Sequence, residues 1–198
     1  MQRTPHSYLR NLLLRFFRVR VPPPPQPPAA LQQGSALIAA NHVSYLDGII
    51  VALASPFPLI FPVDTSFSSD AFFSRKLLSM FEWLGWGEVV PMDSTKPAAL
   101  KTLKRRLDEG ANVLIFPEGQ ISADGLPTQS MPGSDWLTRK TGARRVERRI
   151  TGAEKSILFG KTETELWPAI SLTFNVQGRG GETHRVAQEK LPTGFSGA

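Results

Sequence analysis

His42 and Asp47, which lie five positions apart, have the side-chain types of a proton-transfer pair. A neutral imidazole is the natural general base near neutral pH, and a neighbouring carboxylate fixes its tautomer and stabilises its charged form. Ser44 is the one serine within this cluster, so the simplest chemistry is a His–Asp dyad that activates a hydroxyl of the substrate itself. A surface histidine beside a helix-capping aspartate would have the same spacing. The spacing alone is therefore weak evidence for a catalytic dyad.

A second polar cluster, Phe116-Pro117-Glu118-Gly119, follows the apolar run at residues 112–116. Gly119 lets a backbone approach a ligand closely, because glycine has no Cβ atom. The first cluster likewise follows an apolar run, SALIAA at residues 35–40. In open α/β sheets the chemistry collects at the carboxyl ends of the strands. We therefore expect both clusters at one edge of a sheet.

The segments around these clusters alternate between strand and helix patterns. Strands are predicted at residues 35–40, 59–63, 88–92 and 112–116, and helices at residues 47–54, 72–86 and 97–110. The apolar stretch at residues 48–63 contains three prolines, so it is not a single membrane-spanning helix. This alternation predicts one α/β domain, in which a mostly parallel central sheet is flanked by helices.

Residues 7–20 have the pattern of a basic amphipathic helix. Leucines and phenylalanines recur there at helical spacing, and arginines occupy the remaining face. Such a helix is typical of a segment that lies in a membrane interface, with its arginines at anionic headgroups. The alternative is a terminal helix packed on the domain. The PPPPQPP run that follows predicts a stiff, extended spacer.

The composition limits the possible chemistry and partners. The chain has 198 residues, a net charge of +6 and no cysteine, which excludes disulfides and a catalytic thiolate. A basic balance favours anionic partners. A nucleic acid is not expected, because the sequence has no zinc-ligand spacing, no aromatic RNA-binding signature and no helix-turn-helix pattern.

The ordered pair of blocks, NHVSYLDG at residues 41–48 and FPEG at residues 116–119, resembles the N-H-x4-D and F-P-E-G pattern of the glycerolipid acyltransferases. One branch of that family is similar over longer runs of the sequence. These runs are NHVSYLDGI, VVPMDSTKPAALKTL, FPEGQIS, KTGA and RITGAE. This branch is the acyltransferase half of the bacterial 2-acylglycerophosphoethanolamine acyltransferase/acyl-carrier-protein synthetases.

The resemblance implies transfer of a fatty acyl group from an acyl thioester to the hydroxyl of a lysophospholipid. His42 would be the catalytic base and Asp47 would orient it, while Glu118 and Gly119 would hold the polar glycerol end of the acceptor. The remaining residues expected at the substrate are Asn41, Asp93, Phe116 and Pro117. Acyl-CoA or acyl-ACP (the acyl carrier protein thioester) would be the co-substrate, with no other cofactor and no metal.

The residue patterns and the resemblance together predict a domain organisation and a location. Residues 1–21 would form the interfacial helix, 22–30 the spacer, 31–176 the acyltransferase domain and 177–198 a polar, flexible tail. We expect the protein to be associated with the membrane, at the cytoplasmic face of the bacterial inner membrane. Its partners would be the membrane surface, the lysophospholipid and the acyl donor, and an acyl carrier protein is one of the two candidate carriers of that acyl group.

Three departures from the family pattern affect these expectations. Asp93 stands in the block where members that act on lysophosphatidic acid carry an arginine, which favours a zwitterionic acceptor such as lysophosphatidylethanolamine. Gln120 replaces the usual arginine after Gly119. RVERRI at residues 145–150 replaces an apolar block, so this strand is expected either at a sheet edge or in a diverged carboxyl-terminal part. The second outcome would make the chain a catalytically weakened lipid-binding or accessory module.

Overall fold

Seven strands form one sheet at the centre of this computed structural model, which describes residues 5–22, 35–64, 82, 84–92, 97–122, 124–126, 131–162 and 164–176. The strands are β1 (Val19–Arg20), β2 (Ala36–Ala40), β3 (Leu59–Asp64), β4 (Gly87–Met92), β5 (Val113–Ile115), β6 (Arg144–Thr151) and β7 (Ile170–Val176). The helices bounded within these residues are α1 (Pro5–Phe16), α2 (Asp47–Ala54), α3 (Pro97–Asp108) and α4 (Gly133–Thr141).

The sheet has the order β1-β7-β6-β2-β5-β3-β4. Neighbouring strands are parallel except for β6 and β7, which are antiparallel. The carboxyl ends of β2, β5 and β6 therefore lie at the same edge of the sheet. The predicted α/β domain with a mostly parallel central sheet is confirmed.

The two faces of the sheet carry separate apolar layers, and β2 contributes to both. Its five residues are each at most 5% exposed, and successive side chains point to opposite faces. Ile38 packs in the layer that contains α2 residues such as Ile50. Leu37 packs in the layer that contains Leu107 of α3 and Leu137 of α4. Both faces of β2 are covered, as is usual for a parallel sheet.

Most element boundaries agree with the sequence pattern. The helix predicted at residues 47–54 has those bounds, and the strands predicted at 35–40, 59–63, 88–92 and 112–116 are present within one or two residues. Gly110 ends the α3 segment with a positive φ of 89°. Three predicted segments lie wholly or mostly outside the described residues: the helix at 72–86, residues 23–30 of the spacer and the tail at 177–198. Within the part of the chain that is described, no helix is long and apolar enough to cross a membrane.

The amino-terminal helix is shorter than its pattern suggested. It ends at Phe16 instead of continuing to residue 20, because Arg18 adopts a positive φ of 52° and Val19–Arg20 then pairs with β7. Two hydrogen bonds hold this turn, from Arg18 Nη1 to the Trp167 carbonyl (2.9 Å) and from Trp167 Nε1 to the Phe16 carbonyl (2.7 Å). Tertiary bonds to a distant part of the chain therefore override the helical periodicity.

The strand β6 lies inside the sheet, between β7 and β2, so its expected position at an edge is wrong. Val146, Arg148 and Ile150 alternate on the buried face of this strand. Arg148 is 3% exposed, and its Nη1 donates a hydrogen bond to the Val51 carbonyl of α2 (3.4 Å). Burial, and to a smaller extent the nearby charge of Arg10, lower the pKa of Arg148 to about 9. The bond to the Val51 carbonyl thus helps to accommodate the Arg148 cation in a strand where the sequence pattern disfavours it.

Candidate active site

The two polar clusters meet at the carboxyl edge of the sheet. Because β2 and β5 are parallel neighbours, with Ala39 opposite Ile115, the residues that follow each strand come side by side. The rings of His42 and Phe116 stack with their centroids 4.2 Å apart and their planes inclined by 16°. The expectation that both clusters share one edge is therefore confirmed in the geometry.

His42 and Asp47 form a direct contact in which Nδ1 of the imidazole lies 3.0 Å from Oδ2 of the carboxylate. The Asp47 side chain is fully buried, whereas the His42 side chain is 22% exposed. With Nδ1 directed at Asp47, Nε2 is the ring nitrogen that remains for a substrate. This arrangement has the orientation that a general base requires.

The Asp47 carboxylate is held by the backbone that precedes α2. The amides of Val43 and Ser44 donate to Oδ2 at 2.5 and 2.8 Å, and the Ser44 hydroxyl donates to Oδ1 at 2.5 Å. These bonds run to residues before the helix, and the N-cap residue Leu46 makes no side-chain capping bond. Asp47 therefore does not act as a helix cap. The Ser44 hydroxyl bonds to Asp47, which leaves His42 without an activated serine in this cluster.

Asn41 connects the dyad loop to β6. Its side-chain Nδ2 donates to the Ile150 carbonyl at 2.9 Å, and its Oδ1 accepts from the Ile150 amide at 2.7 Å. Both polar atoms of this amide are thus engaged with the backbone of the neighbouring strand. The substrate contact expected of Asn41 stays a prediction, whereas its bonds fix β6 beside His42.

The FPEG block forms a tight turn next to the His42 ring. The Gly119 amide donates to the Phe116 carbonyl at 3.0 Å, and Gly119 has a positive φ of 70° that favours glycine. The Pro117 carbonyl accepts from the Met131 amide at 2.8 Å, which holds the following segment against the turn. Glu118 is 8% exposed, so its carboxylate lies largely out of solvent. Asp93, the remaining expected site residue, lies outside the described residues.

Ser122 links the two clusters, a role that the sequence analysis did not identify. Its amide donates to the His42 carbonyl at 2.7 Å. Its hydroxyl lies 2.9 Å from Asp124 Oδ1 and 2.8 Å from the Leu126 carbonyl. The Leu126 amide and the Ser122 hydroxyl lower the pKa of Asp124, so this turn is held by a carboxylate that is charged at neutral pH. The Asp124-Gly125 pair is a turn signal that could have indicated this loop.

Two arginines fix the far end of α2, and no sequence signal pointed to them. Arg148 donates to the Val51 carbonyl, and Nε of Arg10 donates to the Leu53 carbonyl. The last carbonyls of a helix have no intrahelical partner, and the negative end of the helix dipole favours a nearby cation. Because α2 begins at Asp47, these bonds hold the element that carries the buried half of the dyad.

Residues 23–158 match the model of a protein family described as Acyltransferase. The chain belongs to the acyltransferase family. The fold of this acyltransferase is also similar to the crystal structure of the 1-acyl-sn-glycerophosphate (LPA) acyltransferase PlsC from Thermotoga maritima, with a TM-score of 0.52 and 19% sequence identity. That match covers 88% of this chain and 72% of the other.

The family match confirms the expectation of an enzyme that transfers acyl groups, and the structural match confirms the expected fold. The HX4D and FPEG blocks both lie within the matched residues 23–158. The closer likeness to the 2-acylglycerophosphoethanolamine branch stays a prediction.

Proposed function

We propose that this acyltransferase transfers a fatty acyl group from an acyl thioester to the hydroxyl of a lysophospholipid, with His42 as the base and Asp47 as its orienting partner. The contact of 3.0 Å between His42 Nδ1 and the buried Asp47 carboxylate carries the proposal. It directs Nε2 outward and leaves Asp47 ready to stabilise an imidazolium.

The reaction needs one proton transfer in each direction. Nε2 of His42 accepts the proton of the acceptor hydroxyl while its oxygen attacks the thioester carbonyl carbon. The tetrahedral intermediate then expels the thiolate, and the imidazolium returns the proton to its sulfur. The products are an acyl ester and a free thiol. No enzyme nucleophile is required, which fits the engagement of the Ser44 hydroxyl by Asp47.

We place the glycerol end of the acceptor at the FPEG turn. Phe116 stacks on His42, so the residues that follow it lie next to the reacting hydroxyl. Glu118 can accept hydrogen bonds from polar groups, and the positive φ of Gly119 allows a close approach of the backbone. The Phe116 and Pro117 rings would form the apolar side of this subsite.

The acceptor is proposed to be zwitterionic. Asp93 stands where a phosphate-binding arginine would be expected, and a carboxylate repels a phosphomonoester but attracts an ethanolamine ammonium. The structural relative is named as acting on 1-acyl-sn-glycerophosphate, which makes lysophosphatidic acid the competing acceptor to test.

Peripheral attachment to the cytoplasmic face of a bacterial inner membrane is also part of the proposal. Leu13 and Leu14 of α1 pack against the domain core, whereas Tyr8, Leu12 and Phe16 are about 60% exposed on the same helix. The interfacial helix and the packed terminal helix are thus compatible, since one face of α1 packs on the domain and the other can enter a membrane interface.

The alternative, a catalytically weakened lipid-binding or accessory module, rests on the unusual composition of β6 and on the polar, glycine-rich tail at residues 177–198. The hydrogen bonds around Asp47 favour the enzyme, as do the bonds from Arg148 to Val51 and from Asn41 to Ile150, which fit β6 into the sheet interior despite its composition. The test is acyl transfer by the purified protein from labelled acyl-CoA and acyl-ACP to a panel of lysophospholipids. Ester formation supports the enzyme, and binding of lysophospholipid without turnover of any donor supports the alternative.

A further inference from the structure

We infer that the loop between β6 and β7, residues 152–169, is a second bilayer-binding element that works with α1 to direct the dyad edge toward the lipid surface. The inference takes one element from the proposed function, namely that the acceptor is a membrane lipid. We call this segment the β6–β7 loop.

The exposed apolar side chains are unevenly distributed over the molecule. Within the described residues, the large ones lie on α1, on the loop after β2, on the segment after β5 and on the β6–β7 loop. Helices α3 and α4 contribute none among these residues. Three of the four segments are at the carboxyl edge that carries the dyad, so the apolar surface and the candidate site share one side.

The β6–β7 loop presents its apolar residues from a rigid backbone. Ile157, Leu158 and Leu166 are 51%, 61% and 62% exposed. Hydrogen bonds between backbone atoms of the loop hold it together. The Glu154 carbonyl accepts from the amides of residues 161 and 162, and the Lys155 carbonyl accepts from the amides of residues 164 and 165. The Ile157 amide donates to the Glu165 carbonyl at 2.9 Å, which brings the two arms together. These side chains are therefore held outward by an ordered loop.

This loop is joined directly to α1. Trp167 Nε1 donates to the Phe16 carbonyl, and the Phe16 and Trp167 rings meet edge to face with centroids 4.9 Å apart. Phe17 stacks on Trp167 at 5.9 Å, and Phe159 contacts both rings. The carboxyl-terminal end of α1 and the loop thus meet in one aromatic cluster.

The same loop is also joined to the dyad. The Tyr45 amide, between His42 and Asp47 in the chain, donates to the Phe159 carbonyl at 3.0 Å. Tyr45 itself is 56% exposed, so an amphipathic aromatic side chain is available at the surface next to this junction of the dyad segment and the loop. Insertion of the loop into a bilayer would place the entrance to His42 at the level where lysophospholipid hydroxyls lie.

Charge indicates that a bilayer is the occupant of this surface. The first 20 residues contain five arginines and no acidic residue. Arg10 and Arg18 bond to carbonyls of the domain, whereas Arg15 and Arg20 are exposed and can attract anionic headgroups. The β6–β7 loop has two lysines but three glutamates, so its own contribution is apolar burial. The two elements should therefore respond differently to salt, which screens headgroup attraction but weakens apolar burial little.

The test is co-sedimentation of the full chain with phosphatidylcholine vesicles, with and without phosphatidylglycerol, across a salt series. Removal of two exposed aliphatic side chains in Ile157→Ser/Leu158→Ser should lower partitioning about tenfold or more at every salt concentration. Arg15→Ser/Arg20→Ser should lower partitioning only with phosphatidylglycerol and at low salt. Arg105→Ser, a 70% exposed residue on α3, is the matched control and should bind as wild type does.

Wild-type partitioning by Ile157→Ser/Leu158→Ser would overturn the inference, whether or not acyl transfer is found. Leu166→Ser, on the other arm of the loop, provides an independent variant that should shift partitioning in the same direction. If the loop variant binds vesicles normally but loses rate only with an acyl-ACP donor, the surface binds the carrier protein and the inference is wrong.

Discussion

Nη1 of Arg148 donates to the carbonyl of Val51 at 3.4 Å, joining the centre of β6 to the last turn of the helix that begins at Asp47. The buried guanidinium therefore holds the helix on which half of the dyad lies. Its burial is costly, since desolvation lowers the pKa of Arg148 to about 9, but the cation remains charged at neutral pH.

We expect the length of the side chain at position 148 to matter more than its charge. Arg148→Ala leaves a cavity and an unbonded helix carbonyl, and should lower the free energy of unfolding by about 2–4 kcal/mol. Arg148→Met also loses the bond to Val51, but it keeps most of the volume and removes the desolvation cost, so it should change the free energy of unfolding by less than about 1 kcal/mol. Urea denaturation of the three proteins measures the difference. Equal losses for both variants would show that the charge itself is required.

Asp47→Asn should affect both catalysis and stability. Loss of the carboxylate removes the partner that stabilises the imidazolium, so kcat should fall by about 10²–10⁴-fold. The new amide NH₂ would also face donors from Val43 and Ser44, which should lower the free energy of unfolding by about 1–3 kcal/mol. Ser44→Ala is the matched control, because it removes one bond to Asp47 and leaves the His42 contact in place. A kcat in Asp47→Asn no lower than in Ser44→Ala would argue against the dyad.

Gly119→Ala separates backbone strain from a role at the substrate. Gly119 has a positive φ, which costs an alanine about 1–2 kcal/mol of stability. Gly110→Ala, with its φ of 89°, is the control for backbone strain alone, since a Cβ at Gly110 meets nothing whereas a Cβ at Gly119 would also displace the end of the Met131 side chain. Both variants should melt earlier, and only Gly119→Ala should raise KM for the acceptor. An unchanged KM would remove Gly119 from the proposed glycerol subsite.

Headgroup choice is expected to depend on Asp93. Wild-type protein should have a higher kcat/KM for lysophosphatidylethanolamine than for lysophosphatidic acid, and a tenfold preference needs only about 1.4 kcal/mol of differential binding. Asp93→Arg should narrow or reverse that preference, because a guanidinium can bind a phosphomonoester in a bidentate manner. A preference of unchanged size in Asp93→Arg, or the opposite preference in the wild-type protein, would mean that Asp93 does not select the headgroup.

The elements that carry the site were predictable from local sequence. The apolar runs that end before Asn41 and Pro117 predict β2 and β5, and their parallel pairing follows from the strand–helix alternation. The site edge could therefore be placed without a structure, and the likeness between the two blocks and a known family supplied the chemistry.

The parts that were missed depend on partners far apart in the sequence. Helix α1 stops at Phe16, where Trp167 bonds to it. Strand β6 is interior because it pairs with both β2 and β7, and its buried Arg148 bonds to Val51, which is 97 positions away. Ser122 bonds to His42 through backbone atoms, which leave no signature in residue type. Periodicity and composition report local preference, so they could not reveal these contacts.

The most direct test of the central claim is acyl transfer by His42→Ala, measured as single-turnover ester formation from a labelled acyl thioester and lysophosphatidylethanolamine. The variant should fold as wild type does, because the Asp47 carboxylate keeps its bonds to Val43 and Ser44. Without the base, the rate should fall by about 10²–10⁴-fold. A folded His42→Ala protein that keeps more than about a tenth of the wild-type rate would contradict the assignment of His42 as the general base.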